Sequence, residues 1–270
     1  MDKLIRRSII SLLLVLAVLT VIYWFPEWLF CVVIALFVGF AQFEFFRMVE
    51  HRKIFVYKYF GTIIGSLIPV VIFLGNGLPD IKHLEPILIM CASIFVFTLQ
   101  FVRKDNARDH LVSMSVTLFS LFYISWFFSF FVKIRLLENG ANLVAFLIIV
   151  TKGADTGAYL GGSCFGRNEL ISRISPNKTI EGTLTGIFLS VLLAVTFGRV
   201  LTGFSIFHAL IIGIVLAVVG QIGDLAESLI KRDCGVKDSG PYLSEIGGVF
   251  DLIDSLLFTA PVFYFYVKTF

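Results

Sequence analysis

The stretch 220–240 places carboxylate, hydroxyl and ammonium groups at helical spacing. Asp224, Ser228 and Lys231 lie at i, i+4 and i+7, so a helix that continues past Gly223 would present them on one face. Along that face the three groups would span about 10 Å, since each residue adds ~1.5 Å of rise. The pattern indicates a polar face at the end of an otherwise apolar helix.

A second acidic set opens the last apolar stretch. Asp251, Asp254 and Ser255 share a helix face at i, i+3 and i+4, and a carboxylate in a first helical turn is favoured by the helix dipole. Charged groups at membrane depth are costly, so they usually face the interior of a bundle and have a partner. Several carboxylates without an equal number of adjacent cations indicate a divalent ion, and magnesium binds one or two carboxylates together with substrate phosphates. The pattern therefore predicts a magnesium and nucleotide site.

Basic residues near these carboxylates would hold the remaining phosphate charge. They are Lys178, Lys231, Arg232 and Lys237. In an alternative that the spacing leaves open, Asp224, Asp251 and Asp254 form structural ion pairs with Lys231, Arg232 or Lys152. Glu227, Asp233 and Glu245 stand at loop edges, where we expect solvated side chains.

The elements that must position these groups belong in a bilayer. Of the 270 residues, 58% are hydrophobic and 15% are charged, with a mean hydropathy of +0.93, whereas a globular chain carries about 25% charged residues. The composition excludes a disordered chain, a fibrous repeat and a disulfide-rich secreted scaffold. We therefore predict an all-α fold, a polytopic integral membrane helical bundle with about nine transmembrane helices.

The positions of the expected helices follow from the apolar stretches, because a transmembrane helix needs about 20 predominantly apolar residues. Nine stretches qualify: 8–25, 28–43, 59–78, 86–102, 111–132, 141–160, 182–198, 200–223 and 249–267. The first has the shape of a secretory signal peptide, but no small-residue cleavage site follows it, so we interpret it as a retained helix. The sixth and ninth stretches carry charges inside the span.

Lys and Arg are distributed unevenly between the loops. Of the 22 Lys and Arg residues, 17 lie on one side of the predicted topology and 5 on the other, and the cytoplasmic side normally holds the excess. We therefore place the amino terminus and the polar segments 161–181 and 227–248 in the cytoplasm, as in a bacterial-type inner membrane. Residues 1–140 are interpreted as a transmembrane scaffold, and residues 141–270 as a catalytic region with two cytoplasmic polar loops.

Two stretches carry long, spaced motifs. In stretch 228–254, Ser-Leu-Ile-Lys-Arg is followed after four residues by Lys-Asp-Ser-Gly, then by two glycines and, two residues later, by Asp251 and Asp254. In stretch 152–182, Asp-Thr-Gly-Ala-Tyr begins at Asp155 and Ser-Pro-Asn-Lys-Thr-Ile-Glu-Gly begins at Ser175. Together they resemble the signatures of the phosphatidate cytidylyltransferases, also called CDP-diglyceride synthetases. The amino-terminal half resembles that family only as a set of hydrophobic helices.

The resemblance implies transfer of the cytidylyl group of CTP to phosphatidic acid, which gives CDP-diacylglycerol and pyrophosphate for phospholipid biosynthesis. It implies Mg2+ as the cofactor, and it is compatible with a second, monovalent cation such as K+ in the same site. The implied partners are CTP, phosphatidic acid and membrane lipids, with a homodimer in the membrane and no nucleic acid.

The resemblance also assigns residues. The implied magnesium ligands are Asp224 and Asp251, with Asp254 and Asp155 as supporting carboxylates. The catalytic set is Asp224, Asp251, Lys231, Arg232, Lys237 and Asp238. The substrate-binding set is Asp155, Ser175, Lys178, Thr179, Glu181, Ser228, Gly247, Gly248 and Asp254. The two glycines would let the backbone approach phosphate oxygens closely.

The chain departs from the family pattern at three positions. Ile246 stands where the family usually has His, Leu252 where it has Arg, and Asn177 where it has Lys. We still predict a working enzyme, because the matching carboxylates and the Lys-Arg pair are retained. Two alternatives remain: a CTP-dependent kinase of an isoprenoid alcohol, which would also need an acidic magnesium site, and a membrane transporter for an anionic solute, which would spread polar residues through several spans.

Overall fold

Helices dominate the part of the chain that the structure describes. The computed structural model describes residues 15–77, 83–102, 109–240 and 247–270. Within these ranges, eight helices are long and apolar enough to cross a membrane, which confirms the predicted all-α polytopic bundle. They are α1 (Glu27–His51), α2 (Lys58–Gly77), α3 (Leu84–Val102), α4 (His110–Arg135), α5 (Gly140–Phe165), α6 (Ile180–Leu201), α7 (Ile206–Asp233) and α8 (Val249–Thr269).

The remaining expected helix, 8–25, begins outside the described residues. Residues 15–23 of it are helical, while the choice between a signal peptide and a retained helix concerns residues that the structure does not describe. The eight other predicted spans are each matched by one helix. The ends of α6 and α7 differ from the prediction, because α6 continues to Leu201 and α7 begins at Ile206 after an N-cap at Ser205.

The first polar segment contains a short β-hairpin that the sequence did not predict. Strand β1 (Glu169–Ile171) pairs antiparallel with β2 (Ser175–Thr179). The second strand leads directly into α6, whose N-cap is Thr179; its hydroxyl accepts a hydrogen bond of 3.1 Å from the Gly182 N–H. The hairpin therefore fixes where α6 begins.

Helices α5 and α6 approach each other closely through small residues. A Cβ atom at Gly161 would overlap the Thr185 side chain, and one at Gly157 would lie 2.9 Å from the Thr185 carbonyl oxygen. The Thr185 hydroxyl donates to the Gly157 carbonyl at 3.0 Å. Glycine is required here because no side chain fits between the two helices.

Helix α4 contains a π-helical turn, Leu121–Trp126, in the middle of the span. The buried amide of Gln42 in α1 binds both ends of this turn: it donates to Ser120 Oγ at 3.1 Å and accepts from Ser125 Oγ at 3.1 Å. A π-helical turn adds a residue to the helical repeat and often occurs at functional sites. Gln42 thus stabilises the π-helical turn and the shift in helical register that it introduces in α4.

Helix α8 lies between four other helices, α1, α4, α5 and α7. Its polar amino-terminal turns lie at the end of the bundle where the carboxyl ends of α1, α5 and α7 and the amino end of α6 also converge. Side chains from these helix ends make the ion pairs and hydrogen bonds that link them. This end of the bundle holds the candidate site.

Candidate active site

Three carboxylates meet between α7 and α8. Asp224, Glu227 and Asp254 each offer an oxygen, and these oxygens lie within 4.8 Å of one another. Helix α7 continues unbroken past Gly223 to Asp233, as the predicted polar face requires. We call the three residues the acidic cluster.

The prediction that the Glu227 side chain is solvated is wrong. The residue is fully buried, because α7 does not end at the edge of the apolar stretch and Glu227 lies three residues after Asp224 on the inward side of the helix. Lys231 Nζ is 2.6 Å from Glu227 Oε2. Even so, neither oxygen of Glu227 has a hydrogen-bond partner of good geometry among the described residues. A buried carboxylate is costly unless it is paired, and the ammonium group of Lys231 offsets part of that cost.

Asp251 is placed differently from the expected magnesium ligand. Its Oδ1 lies 2.7 Å from Lys231 Nζ, and its Oδ2 accepts from the Gly248 N–H at 2.7 Å. The backbone N–H and hydroxyl of Ser239 also donate to Oδ2, at 3.1 and 2.9 Å. The position of Asp251 in the first turn of α8 directs its carboxylate back to the helix start, as in a capping box. The contact with Lys231 is one of the structural ion pairs that the sequence left open as an alternative to metal binding.

Lys152 links α5 to α8. Its Nζ lies 3.0 Å from Asp155 Oδ2 and 3.7 Å from Asp254 Oδ1. It also donates to Ser255 Oγ at 2.9 Å, and that hydroxyl donates in turn to Asp155 Oδ2 at 2.9 Å. The charged residues inside the sixth and ninth predicted spans therefore form ion pairs, in which Lys152 contacts both Asp155 and Asp254.

A cavity of about 270 Å³ opens beside Asp224. The predicted site residues on its wall are Asp155, Ser175, Lys178, Thr179 and Asp224. Lys178 Nζ lies 2.7 Å from Asp224 Oδ2. The hairpin and α5, α6 and α7 thus bring a basic group and two aspartates of the predicted set to one cavity.

Other predicted residues have structural contacts. Glu181 accepts from the backbone N–H groups of Arg167 and Asn168 at 3.1 and 3.2 Å and from Asn168 Nδ2 at 2.8 Å. Glu181 is not among the described residues that line the cavity. Its carboxylate fixes the loop before β1, so its contacts do not support the predicted substrate role. Thr179 lines the cavity and caps α6.

Several predicted phosphate-binding groups lie at the surface. Arg232, Lys237 and Asp238 are exposed, and Arg232 Nε donates to a backbone carbonyl at 3.4 Å. Ser228 is half-buried on α7. Of the three family departures, Asn177 lies on the cavity wall, Leu252 packs against the apolar core and Ile246 falls outside the described residues.

Sequence reasoning missed Glu44, a fully buried carboxylate of α1. Its Oε1 accepts from the Val249 N–H at 3.0 Å, and its Oε2 accepts from the Phe250 N–H at 2.8 Å and from Ser239 Oγ at 3.1 Å. These N–H groups open α8 and have no partner within the helix. Glu44 lies in a helix that continues eight residues beyond the predicted span 28–43, and its position in the sequence gives no sign of a partner some 200 residues away.

Gly248 is the glycine that this arrangement requires. A Cβ atom there would overlap Ser239 Oγ and the Glu44 carboxylate. Gly247, the preceding residue, has a φ of +105°, which side chains rarely adopt. The two glycines therefore let the start of α8 approach Glu44 and Asp251, whereas the sequence predicted that they approach phosphate oxygens.

The site carries more negative than positive charge. Five carboxylates face three ammonium groups, so two negative charges remain when all are ionised. The carboxylates are those of Asp155, Asp224, Glu227, Asp251 and Asp254, and the ammonium groups are those of Lys152, Lys178 and Lys231. Glu44, which shares the Ser239 hydroxyl with Asp251, adds a further carboxylate, so a divalent cation would reduce the excess.

Several known proteins are similar in sequence to this chain. The model of the cytidylyltransferase family matches residues 5–270. The uncharacterized protein YnbB of Escherichia coli is 38% identical over 153 residues, 57% of this chain and 51% of that protein. A chloroplastic phosphatidate cytidylyltransferase 4 of Arabidopsis thaliana is 31% identical over 279 aligned positions, 90% of this chain and 68% of that protein.

A bacterial protein is also similar to this chain. The phosphatidate cytidylyltransferase of Bacillus subtilis is 40% identical over 150 residues, which cover 55% of this chain and 56% of that protein. The chain thus spans about half the length of two of these three relatives and two thirds of the third. Since the family model covers nearly the whole sequence, the chain belongs to the cytidylyltransferase family.

Proposed function

We propose that the protein transfers the cytidylyl group of CTP to phosphatidic acid and so forms CDP-diacylglycerol and pyrophosphate. The acidic cluster, which lies beside the cavity that Lys178 lines, carries this proposal. It is supported by the family and by relatives that are named phosphatidate cytidylyltransferases. A membrane protein with a polar site at one end of its bundle suits a reaction on a lipid headgroup.

The residues present fit a divalent cation. The buried carboxylate of Glu227 is the observation that tests this fit, since it shares the single ammonium group of Lys231 with Asp251 and a cation would balance the second negative charge. Asp224, Glu227 and Asp254 would hold Mg2+, and Asp251, which contacts Lys231 in this structure, remains a predicted ligand. When bound, Mg2+ would neutralise charge on phosphate oxygens. A monovalent cation such as K+ in the same site also remains a prediction.

The chemistry needs no covalent intermediate on the protein. An oxygen of the phosphatidic acid phosphate forms a bond to the α-phosphorus of CTP, while the bond from that phosphorus to pyrophosphate breaks. The protein contributes positioning and charge neutralisation. Lys178, on the cavity wall, would bind a substrate phosphate. Lys231, enclosed between Glu227 and Asp251, would hold these two carboxylates in place.

The location of the reaction is part of the proposal. The Lys and Arg distribution supports an inner membrane with the site on the cytoplasmic side, where CTP is available. A homodimer remains a prediction from the resemblance.

Product analysis on the purified protein in detergent tests the function. With Mg2+, CTP and phosphatidic acid, we expect equimolar CDP-diacylglycerol and pyrophosphate. Asp224→Asn should abolish both products, because it removes a charge of the acidic cluster without changing its shape. Asp233→Asn is the matched control, since Asp233 lies on the same helix with a side chain that is 76% exposed.

Two results would contradict the proposal. With an isoprenoid alcohol supplied in place of phosphatidic acid, formation of CDP together with the phosphorylated alcohol would identify the kinase instead. Turnover by Asp224→Asn at the rate of Asp233→Asn would show that the acidic cluster does not serve the reaction.

A further inference from the structure

Tyr123 carries a buried hydroxyl whose partner is missing from the described residues. The residue is 3% exposed, and its hydroxyl has no hydrogen-bond partner in the described part of the chain. A buried, unpaired hydroxyl costs free energy, so such groups are rare in folded proteins. Aromatic packing alone would be served by phenylalanine, which occurs 30 times in this sequence.

The contacts of the Tyr123 ring place it on the face of α8 that carries Asp254. The ring packs on Phe250 with centroids 6.2 Å apart and on Phe258 with centroids 5.5 Å apart. Phe250, Asp254 and Phe258 follow one another at intervals of four residues, so they share one face of the helix. Tyr123 therefore spans the two rings that flank Asp254.

Tyr123 reaches this position from the π-helical turn of α4. Gln42 binds Ser120 and Ser125 on either side of Tyr123 and holds the turn in place. The ring is also packed against Phe119, with centroids 5.1 Å apart. The ring is thus held in a fixed position on the face of α8 that carries Asp254, in a part of the chain outside the two motif stretches.

We infer that Tyr123 is a further substrate-binding residue of the site, whose hydroxyl donates a hydrogen bond to a phosphate oxygen that enters with the nucleotide. This inference rests on the proposed function. A donor kept unpaired in the free protein is ready for an anionic oxygen, and it lies on the face of α8 that carries Asp254. A hydrogen bond to a charged oxygen is stronger than one between neutral groups.

Tyr123→Phe separates this role from a structural one. Because the hydroxyl is unpaired, its removal should leave the thermal midpoint of the ligand-free protein unchanged or higher. The affinity for CTP in the presence of Mg2+, measured by titration calorimetry in detergent, should fall roughly ten- to hundredfold, the loss expected for one hydrogen bond to a charged group. The kcat/KM for CTP should fall by a similar factor. Tyr264→Phe, at the opposite end of α8, is the matched control and should change neither.

The outcomes distinguish the inference from the proposed function. If Tyr123→Phe lowers the thermal midpoint and leaves CTP affinity unchanged, the hydroxyl is structural and the inference is overturned, even where the wild-type protein forms CDP-diacylglycerol. If the wild-type protein binds CTP but forms no CDP-diacylglycerol, the proposed function fails, and the affinity ratio still decides the role of Tyr123. If the wild-type protein does not bind CTP, both are overturned.

Discussion

Glu44 should stabilise the start of α8, and Glu44→Gln tests this directly. The carboxylate is fully buried and accepts hydrogen bonds from the Val249 and Phe250 N–H groups, and it shares the hydroxyl proton of Ser239 with Asp251. Glutamine has the same shape but presents one oxygen and one NH2 group. Whichever way the amide is oriented, an NH2 group then faces at least one N–H of the first turn of α8.

The expected loss follows from these contacts. A buried N–H left without an acceptor costs about 1–3 kcal/mol, and loss of a negative charge at a helix amino terminus removes about 0.3–1 kcal/mol more. A destabilisation of about 2–3 kcal/mol corresponds to a fall in the thermal midpoint of roughly 5–10 °C for a chain of this size. The start of α8 also carries Asp251 and Asp254, so we expect the turnover rate to fall together with the stability.

Thermal unfolding in detergent, followed by circular dichroism, measures the change. Glu50→Gln is the control on the same helix, because Glu50 is exposed and pairs with Lys58 at 2.6 Å. An exposed ion pair contributes about 0–1 kcal/mol, so this midpoint should move by less than about 3 °C. Equal midpoints for Glu44→Gln and the wild-type protein would refute the reasoning, as would a larger loss for Glu50→Gln.

Three further results are expected. Thr179→Val removes the oxygen that accepts the Gly182 N–H, so the free energy of unfolding should fall by about 1 kcal/mol; an unchanged thermal midpoint would show that the cap is not needed. Gly161→Ala brings a Cβ atom into the Thr185 side chain, and the overpacking should cost about 1–3 kcal/mol in the same assay, whereas no loss would mean that α5 and α6 can separate at no cost. Removal of divalent ions by a chelator should abolish CDP-diacylglycerol formation and added Mg2+ should restore it; turnover that survives chelation would exclude a divalent ion from the reaction.

The spans were predictable because the bilayer leaves few alternatives. An apolar stretch that crosses hydrocarbon must satisfy its backbone groups internally, so it forms a helix. Eight of the predicted spans match helices for this reason. Hydropathy does not indicate where a helix ends once it leaves the apolar layer. The sequence could therefore only assume that α7 continues past Gly223, and the structure shows that it extends to Asp233. The hairpin and the π-helical turn depend on contacts with other segments, and neither has a pattern of its own.

The site residues that belong to the sequence motifs could be predicted, whereas isolated side chains in other helices could not. Asp224, Lys178 and Asp155 come together as the motifs suggested. Glu44 and Tyr123 lie in otherwise apolar spans, and only the packing of α1 and α4 on α8 reveals their position. The division at residue 140 stays a prediction, and these two residues show side chains from the first part in contact with the second.

The most direct measurement is the binding of Mn2+, a paramagnetic substitute for Mg2+, to the acidic cluster. Electron paramagnetic resonance on the purified protein should show one tightly bound Mn2+ per chain. Glu227→Gln should weaken this binding by roughly tenfold or more, because it removes a buried carboxylate charge from the cluster, while Asp233→Asn on the same helix should bind as the wild-type protein does. Unchanged Mn2+ affinity in Glu227→Gln would contradict a divalent cation site between α7 and α8.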